Sequence, residues 1–222
     1  MKISVVIPTL NEADTILNTL NALHPWRERG HQVIVVDASS ADGTAIKAGP
    51  MADLVLSSDR GRATQMNTGA ERAEGDVLLF LHADTLLPDN ADQFILNALT
   101  KRSWGRFNIS FSSPRFIFKI IAFMMNHKSC ITSVATGDQA IFVTKKQFED
   151  VGRFPQQGLM EDIQLSVALR RHSRAVCLPQ KVVTSSRRWE QNGVIKTILL
   201  MWFLRIAYFS GVSSNRLKHW YH

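Results

Sequence analysis

The stretches ISVVIP at 3–8 and VIVVD at 33–37 decide the fold. Each is a short run of β-branched residues, the first stopped at Pro8 and the second at Asp37, which marks a strand and not a helix. Between them, Glu12 to Leu23 places Ile16, Leu17, Leu20 and Leu23 at helical spacing, so the order is strand, helix, strand. Asp42-Gly43 opens a second helix, with Asp42 itself read as a cap or turn residue. LVL at 54–56 is a third strand, Ala63 to Ala73 a helix ended by Gly75, and VLLFL at 77–81 a fourth strand, apolar on both faces as a buried parallel strand is. The alternation predicts an α/β fold: a doubly wound, mostly parallel sheet with helices on both faces over residues 1–100. In such sheets ligands bind at the carboxyl ends of the strands, which singles out residues 8–12, 37–44 and 82–85.

Past residue 100 the pattern loosens. Ala140 to Val143 predicts a strand, Met160 to His172 a helix and Val194 to Phe209 a longer helix. Neither an internal repeat nor a Ser/Gly-rich linker divides the chain, so its 222 residues read as one domain. With 45% hydrophobic and 20% charged residues, the composition excludes a disordered or collagen-like chain. Cys130 and Cys177 lie far apart without CxxC or Cys/His ligand spacing, so they argue for neither a disulfide framework nor a zinc site, and a reducing cytoplasmic setting is expected. The apolar stretch at the N-terminus is interrupted by Pro8 and reads as a strand, not as a signal peptide.

The net charge of +7 is unevenly spread. Residues 101–129 carry six Lys or Arg and no acid, and residues 181–222 carry seven against Glu190, so each segment is +6 and the remainder is −5. Each basic segment holds an apolar run, FIFKIIAFMM at 116–125 and VIKTILLMWFLRIAYF at 194–209. Basic and apolar together suit an anionic membrane surface better than nucleic acid, which implies peripheral contact at the inner face of the cell membrane. Buried helices with solvated basic ends have the same composition. At about 100° per residue, Lys196 and Arg205 fall on opposite sides of a helix, which counts against a simple amphipathic one. The longest uncharged run there, Thr197 to Leu204, is far short of the roughly 20 residues that span a bilayer.

Neither GxxxxGK[ST] nor a GxGxxG after the first strand is present, which excludes a P-loop enzyme and an ordinary dinucleotide-binding dehydrogenase. A haloacid dehalogenase-type phosphatase is disfavoured because no strand is followed by DxDxT. The residues just past the strand ends are instead acidic and polar: Glu12, Asp37, Asp42, and Asp84 with His82 two residues before it, a spacing that in a strand turns both side chains to one side. Oxygen ligands of this kind suit Mg2+ or Mn2+ sharing a substrate diphosphate.

The succession VVIPTLNE, VIVVDASSADGT, RGRATQMNTGAERAEGDVLLFLHADT, TGDQAIFV and GLMEDIQLSVALRR resembles glycosyltransferase family 2, the inverting GT-A enzymes. HADT, GRATQMN and the late SSRRW look most like the radical-SAM/selenodomain-associated glycosyltransferase subgroup. The resemblance covers nearly the whole chain. It implies a nucleotide-sugar half over 1–100, an acceptor half over 101–193 and an apolar, basic C-terminal helix and tail over 194–222. It also implies that Pro8, Thr9, Asn11, Glu12 and Asp37 hold the nucleoside, and that His82-Ala83-Asp84 stands where the family's DxD binds Mn2+ or Mg2+ and diphosphate. Arg60 and Arg62 would meet the diphosphate; Gly137, Asp138 and Glu161 would line the acceptor side; and Asp162 would be the general base. SSRRW is similar to the QxxRW of processive members but has Ser185 where Gln belongs, so no polymerising activity is implied. The expected activity is transfer of a sugar from a nucleotide-sugar donor to a hydroxyl acceptor, which could be lipid-linked. The alternative is a GT-A-fold protein with little or no turnover that binds nucleotide sugar at a membrane surface.

Overall fold

In the computed structural model, which describes residues 1–221, eight strands form one sheet in the order β3-β2-β1-β4-β7-β6-β8-β5. The strands are β1 (Ile3–Thr9), β2 (Gln32–Asp37), β3 (Leu54–Ser57), β4 (Val77–Phe80), β5 (Thr85–Leu86), β6 (Trp104–Phe111), β7 (Phe142–Thr144) and β8 (Val176–Thr184). Among the described residues ten α-helices, besides two short 3-10 turns at Gly49–Met51 and Gly137–Gln139, connect and cover them: α1 (Ile16–Glu28), α2 (Thr44–Ala48), α3 (Arg62–Glu71), α4 (Ala91–Leu99), α5 (Phe116–Thr132), α6 (Lys145–Asp150), α7 (Glu161–Arg170), α8 (Arg187–Asn192), α9 (Val194–Phe209) and α10 (Ser214–Tyr221).

The pleat sends alternate residues to two cores. Ile3, Val5, Ile7, Val33 and Val35 pack with Ile16, Leu20, Leu23 and Trp26 of α1 on one face. Val6, Ile34, Val36 and Phe80 pack with Met66 and Ala70 of α3 and with Leu165 and Leu169 of α7 on the other. α3 lies so close to the sheet that a side chain on Gly69 would overlap Val6 and Val36. A third, smaller core joins Met160 and Ile163, at the start of α7, to Leu204 of α9 and Leu217 of α10. Among the described residues no helix is long and apolar enough to cross a membrane.

The parallel ladders β1–β2, β1–β4 and β2–β3 bear out the α/β expectation for the first hundred residues. Pro8 does not stop β1. Pairing with β4 ends at Val6 and Phe80, so on that side no ladder requires a donor from Pro8, and β1 continues beside β2 to Thr9 opposite Asp37. Strands β6 and β8, parallel to each other, are not visible in the sequence. β6 carries Gly105 and the charged Arg106, and an irregularity in register between Phe107 and Asn108 absorbs Pro179 and Gln180 of β8, so neither stretch has a clean period of two.

The cysteine expectation is overturned: Cys130 of α5 and Cys177 of β8 form a disulfide, with Cα atoms 5.8 Å apart. α5 packs on β6 and β8 lies beside β6, so tertiary structure brings together two residues separated by 47 positions. The ground for inferring a reducing compartment falls away with it.

Candidate active site

The carboxyl ends of β1 and β2 are tied together by Asp37. Its carboxylate accepts from Thr9 Oγ1 at 3.0 Å, Ser40 N at 2.8 Å and Ser40 Oγ at 2.5 Å. Ser40 Oγ in turn accepts from Asn11 N at 2.8 Å, and Asn11 Oδ1 accepts from Ala41 N at 3.0 Å. Asn11 and Ser39 both adopt left-handed backbone, at φ 55° and 60°. Asp42 closes a turn ahead of α2, whose cap is Gly43: it accepts from Thr44 N and Oγ1 and from Ala13 N, and chiefly the Thr44 hydroxyl lowers its pKa. Beneath the loops, buried Gln65 donates to Thr9 O at 2.8 Å and Val36 O at 2.9 Å, a fastening that only the unexplained GRATQMN stretch hinted at.

His82-Ala83-Asp84 lies in a turn after β4, with Thr85 N donating to His82 O at 3.1 Å, so the period of two that placed both side chains together does not apply. Thr19 Oγ1 of α1 donates to Ala83 O at 2.7 Å and fixes that turn. His82 faces the turn at residues 136–139. Its Nδ1 is 3.2 Å from Asp138 Oδ1, while its Nε2 is buried against Gly137, where a Cβ would come within 2.5 Å of it. Burial by itself would raise the pKa of Asp138; the His82 hydrogen bond and charge, with Arg62 and Arg188, outweigh it and hold the carboxyl below the usual carboxylate range. Of the two residues expected to share an ion, His82 thus has its Nδ1 turned to Asp138. The pKa of Asp84 is raised, first by burial and further by Asp138 and Glu12, against the pull of His82 and Arg187. Among the described residues no group of three or more His, Cys, Asp or Glu is arranged to hold a metal alone. Asp84 fits an ion that takes one protein carboxylate and completes its shell with water and diphosphate oxygens.

Glu161 and Asp162 open α7, whose preceding residue Met160 is itself left-handed at φ 68°. Asp162 accepts from Gly137 N at 2.8 Å and Ile163 N at 2.7 Å, which sets its carboxylate at the TGDQ turn. Glu161 is buried, 3.5 Å from Arg62 Nη1; burial, then the charge of Asp162, raises its pKa. Arg62, His82, Gly137, Glu161 and Asp162 line a cavity of about 10 Å³, room for about one water. Arg60 stays on the exposed loop before α3 and is not drawn into this cluster.

Two arginines not singled out from sequence complete the site from SSRRW. Arg187 reaches Glu12 Oε2 at 3.3 Å, and Arg188 lies over the Tyr221 ring with its Cζ 3.8 Å from the centroid. Of the expected donor-side residues, Thr9, Asn11, Glu12 and Asp37 thus surround the ends of β1 and β2, with Pro8 in β1 itself.

Residues 4–147 match the family described as glycosyl transferase family 2, and the chain belongs to that family. It is 34% identical over 91 residues to glycosyltransferase AglE of Haloferax volcanii, covering 37% of this chain and 30% of that protein. It is 23% identical over 218 residues to the poly-beta-1,6-N-acetyl-D-glucosamine synthase of Staphylococcus epidermidis, covering 86% and 52%. The chain thus spans about a third of the first relative and about half of the second. The fold matches S. aureus TarS 1-349 in complex with UDP-GlcNAc, at TM-score 0.67 and 19% identity over 83% of this chain and 58% of that one. It also matches the mannosyltransferase PcManGT of Pyrobaculum calidifontis in complex with GDP-Man and Mn2+, at TM-score 0.65 and 23% identity over 82% and 56%.

Proposed function

We propose that this chain moves a sugar from a nucleotide sugar to a hydroxyl acceptor with inversion. The observation that carries the reading is the placement of Asp162. Its carboxylate, oriented by two backbone N–H groups, borders the cavity shared by Arg62 and His82, on the acceptor side of the strand-end loops. Asp162 takes the proton of the acceptor hydroxyl as that oxygen bonds to the anomeric carbon and the bond to the diphosphate oxygen breaks. No second carboxylate is needed because no glycosyl-enzyme forms. Residues 1–100 bind the donor, with Thr9, Asn11, Glu12 and Asp37 on the nucleoside, and Arg60, Arg62 and Asp84 toward the diphosphate; residues 101–193 supply the acceptor side through Gly137, Asp138 and Glu161. Asp84 is the residue to hold Mn2+ or Mg2+, which when bound neutralises charge on the departing diphosphate. The subgroup assignment rests on the HADT, GRATQMN and SSRRW stretches alone.

Replacement of the first acid of the DxD by His82 favours one second reading, a protein that binds nucleotide sugar without consuming it. A panel of uridine, guanosine, cytidine and thymidine donors, with and without Mn2+, separates the two. A bound donor at about 100 times its Kd adds roughly 2.7 kcal/mol and raises the melting temperature. Release of nucleoside diphosphate supports transfer; a shift without release supports the second reading; no shift with any donor overturns both. Asp84→Ala removes the Mn2+-dependent part of the shift.

A further inference from the structure

α5 and α9 are built on one plan. Each buries an inward row, Phe118, Ile121 and Ala122 on α5 and Thr197 and Leu204 on α9, yet each also carries an apolar row facing solvent. On α9 the outward row is Ile195, Leu199, Trp202, Phe203, Ile206 and Phe209, 53–73% exposed. On α5 it is Phe116, Ile120, Phe123, Met124 and Ile131, 42–73% exposed. At 100° per residue the α9 row fills an arc of about 120°, with Lys196 just beyond one edge and Arg205 just beyond the other. The α5 row fills about 100°, with Lys119 and Lys128 beyond its two edges. The positions of Lys196 and Arg205, which looked like a fault in an amphipathic helix, are the two margins of a second apolar face.

The two helices are neighbours: Val134, just past the end of α5, packs in the small core that holds Leu200 and Leu204 of α9, and the Arg205 charge, after burial, lowers the Lys128 pKa. Among the described residues none of Lys119, Lys128, Lys196 or Arg205 has an ion-pair partner, whereas Lys2, Arg27, Arg29, Lys146 and Arg153 elsewhere each pair with a carboxylate. Neither helix contains an acid. Trp220 of α10 extends the surface, its ring 5.4 Å from Phe203.

We propose that α5 and α9 form a docking face for an anionic lipid leaflet. The apolar rows enter the boundary between headgroups and acyl chains, and the marginal Lys and Arg reach lipid phosphates. A second copy of the chain is the poorer occupant, since a two-fold contact through this face sets cation against cation with no acid on either helix to meet them. The inward side of α9 packs on Met160 and Ile163, which flank Glu161 and Asp162, so the docked leaflet lies one helix from the proposed base. That the leaflet presents the acceptor rests on the function proposed above; the docking does not.

Flotation of the purified chain with vesicles tests it. The protein floats with phosphatidylcholine vesicles containing about one-third phosphatidylglycerol, stays behind with phosphatidylcholine alone, and releases as salt is raised. Lys196→Gln with Arg205→Gln lowers partitioning about 30-fold, two cations at about 1 kcal/mol each. Trp202→Ser with Ile206→Ser lowers it as well, while both variants keep the melting temperature and any donor-induced shift, so failure of docking and failure of the catalytic reading are told apart. Lys146→Glu, on a paired cation of α6, leaves partitioning unchanged. The proposal is overturned if the chain ignores anionic vesicles at low salt or binds neutral ones equally. It is overturned too if Trp202→Ser dissolves a dimer seen by light scattering in place of a vesicle complex.

Discussion

Glu161 and Asp162 are neighbours with opposite surroundings. Asp162 accepts two backbone hydrogen bonds at the cavity, while Glu161 is 3% exposed and faces Arg62 at 3.5 Å. Asp162→Asn keeps the shape and the acceptor oxygen but cannot take a proton, so donor binding persists while turnover falls on the order of 100- to 10,000-fold, read as diphosphate release. Glu161 makes a different prediction. Its folded pKa lies above the ordinary 4.5, so the folded state binds more protons than the unfolded one between those values and stability falls as pH rises through that window. Glu161→Gln removes this cost. It raises the melting temperature at neutral pH, and the gain closes as pH drops below 4.5; equal melting curves at neutral pH would show that Arg62 fully compensates the buried charge. The residues gathered at the ends of β1 and β2, Thr9, Asn11, Glu12 and Asp37, were legible because they follow strands. Arg187 was not, since only folding carries it across 175 positions back to Glu12, nor was Arg188, which folding sets over the Tyr221 ring.

At the scale of elements, period decided what could be read. β1, β2 and β4 are buried on both faces and appear as unbroken apolar runs, whereas β6 and β8 hide behind Arg106, Pro179 and a register irregularity. α9 was legible to its bounds, Val194–Phe209, but the sequence left membrane contact and burial both open for it, because apolar residues on both faces cancel the one-sided pattern by which a surface helix is recognised. The disulfide between α5 and β8 closes a loop of 47 residues, for which the chain-entropy relation gives about 4 kcal/mol, against a typical 2–4 for disulfides in general. Cys130→Ser therefore lowers the unfolding free energy read by urea denaturation by about 2–4 kcal/mol. Adding a reductant to the parent reproduces the loss and leaves the variant unmoved; a parent insensitive to reductant would show the bond to be dispensable.

At the scale of the molecule, the sheet order carries a consequence for synthesis. β7 sits between β4 and β6, so β4 lacks its second neighbour until Phe142–Thr144 has been made. That is 64 residues after Phe80, roughly 3 to 13 s of elongation at 5–20 residues per second. Throughout that interval the chain emerging from the ribosome holds a nearly complete parallel half-sheet, β3-β2-β1-β4, whose bare edge is the sequence VLLF, buried on both faces in the finished protein. An unpaired, uncharged edge of this kind is a template for a neighbouring nascent chain. The step most exposed to aggregation during birth is therefore the wait for β7, and slow codons placed between residues 80 and 142 would lower the yield of folded protein more than the same codons placed after residue 144.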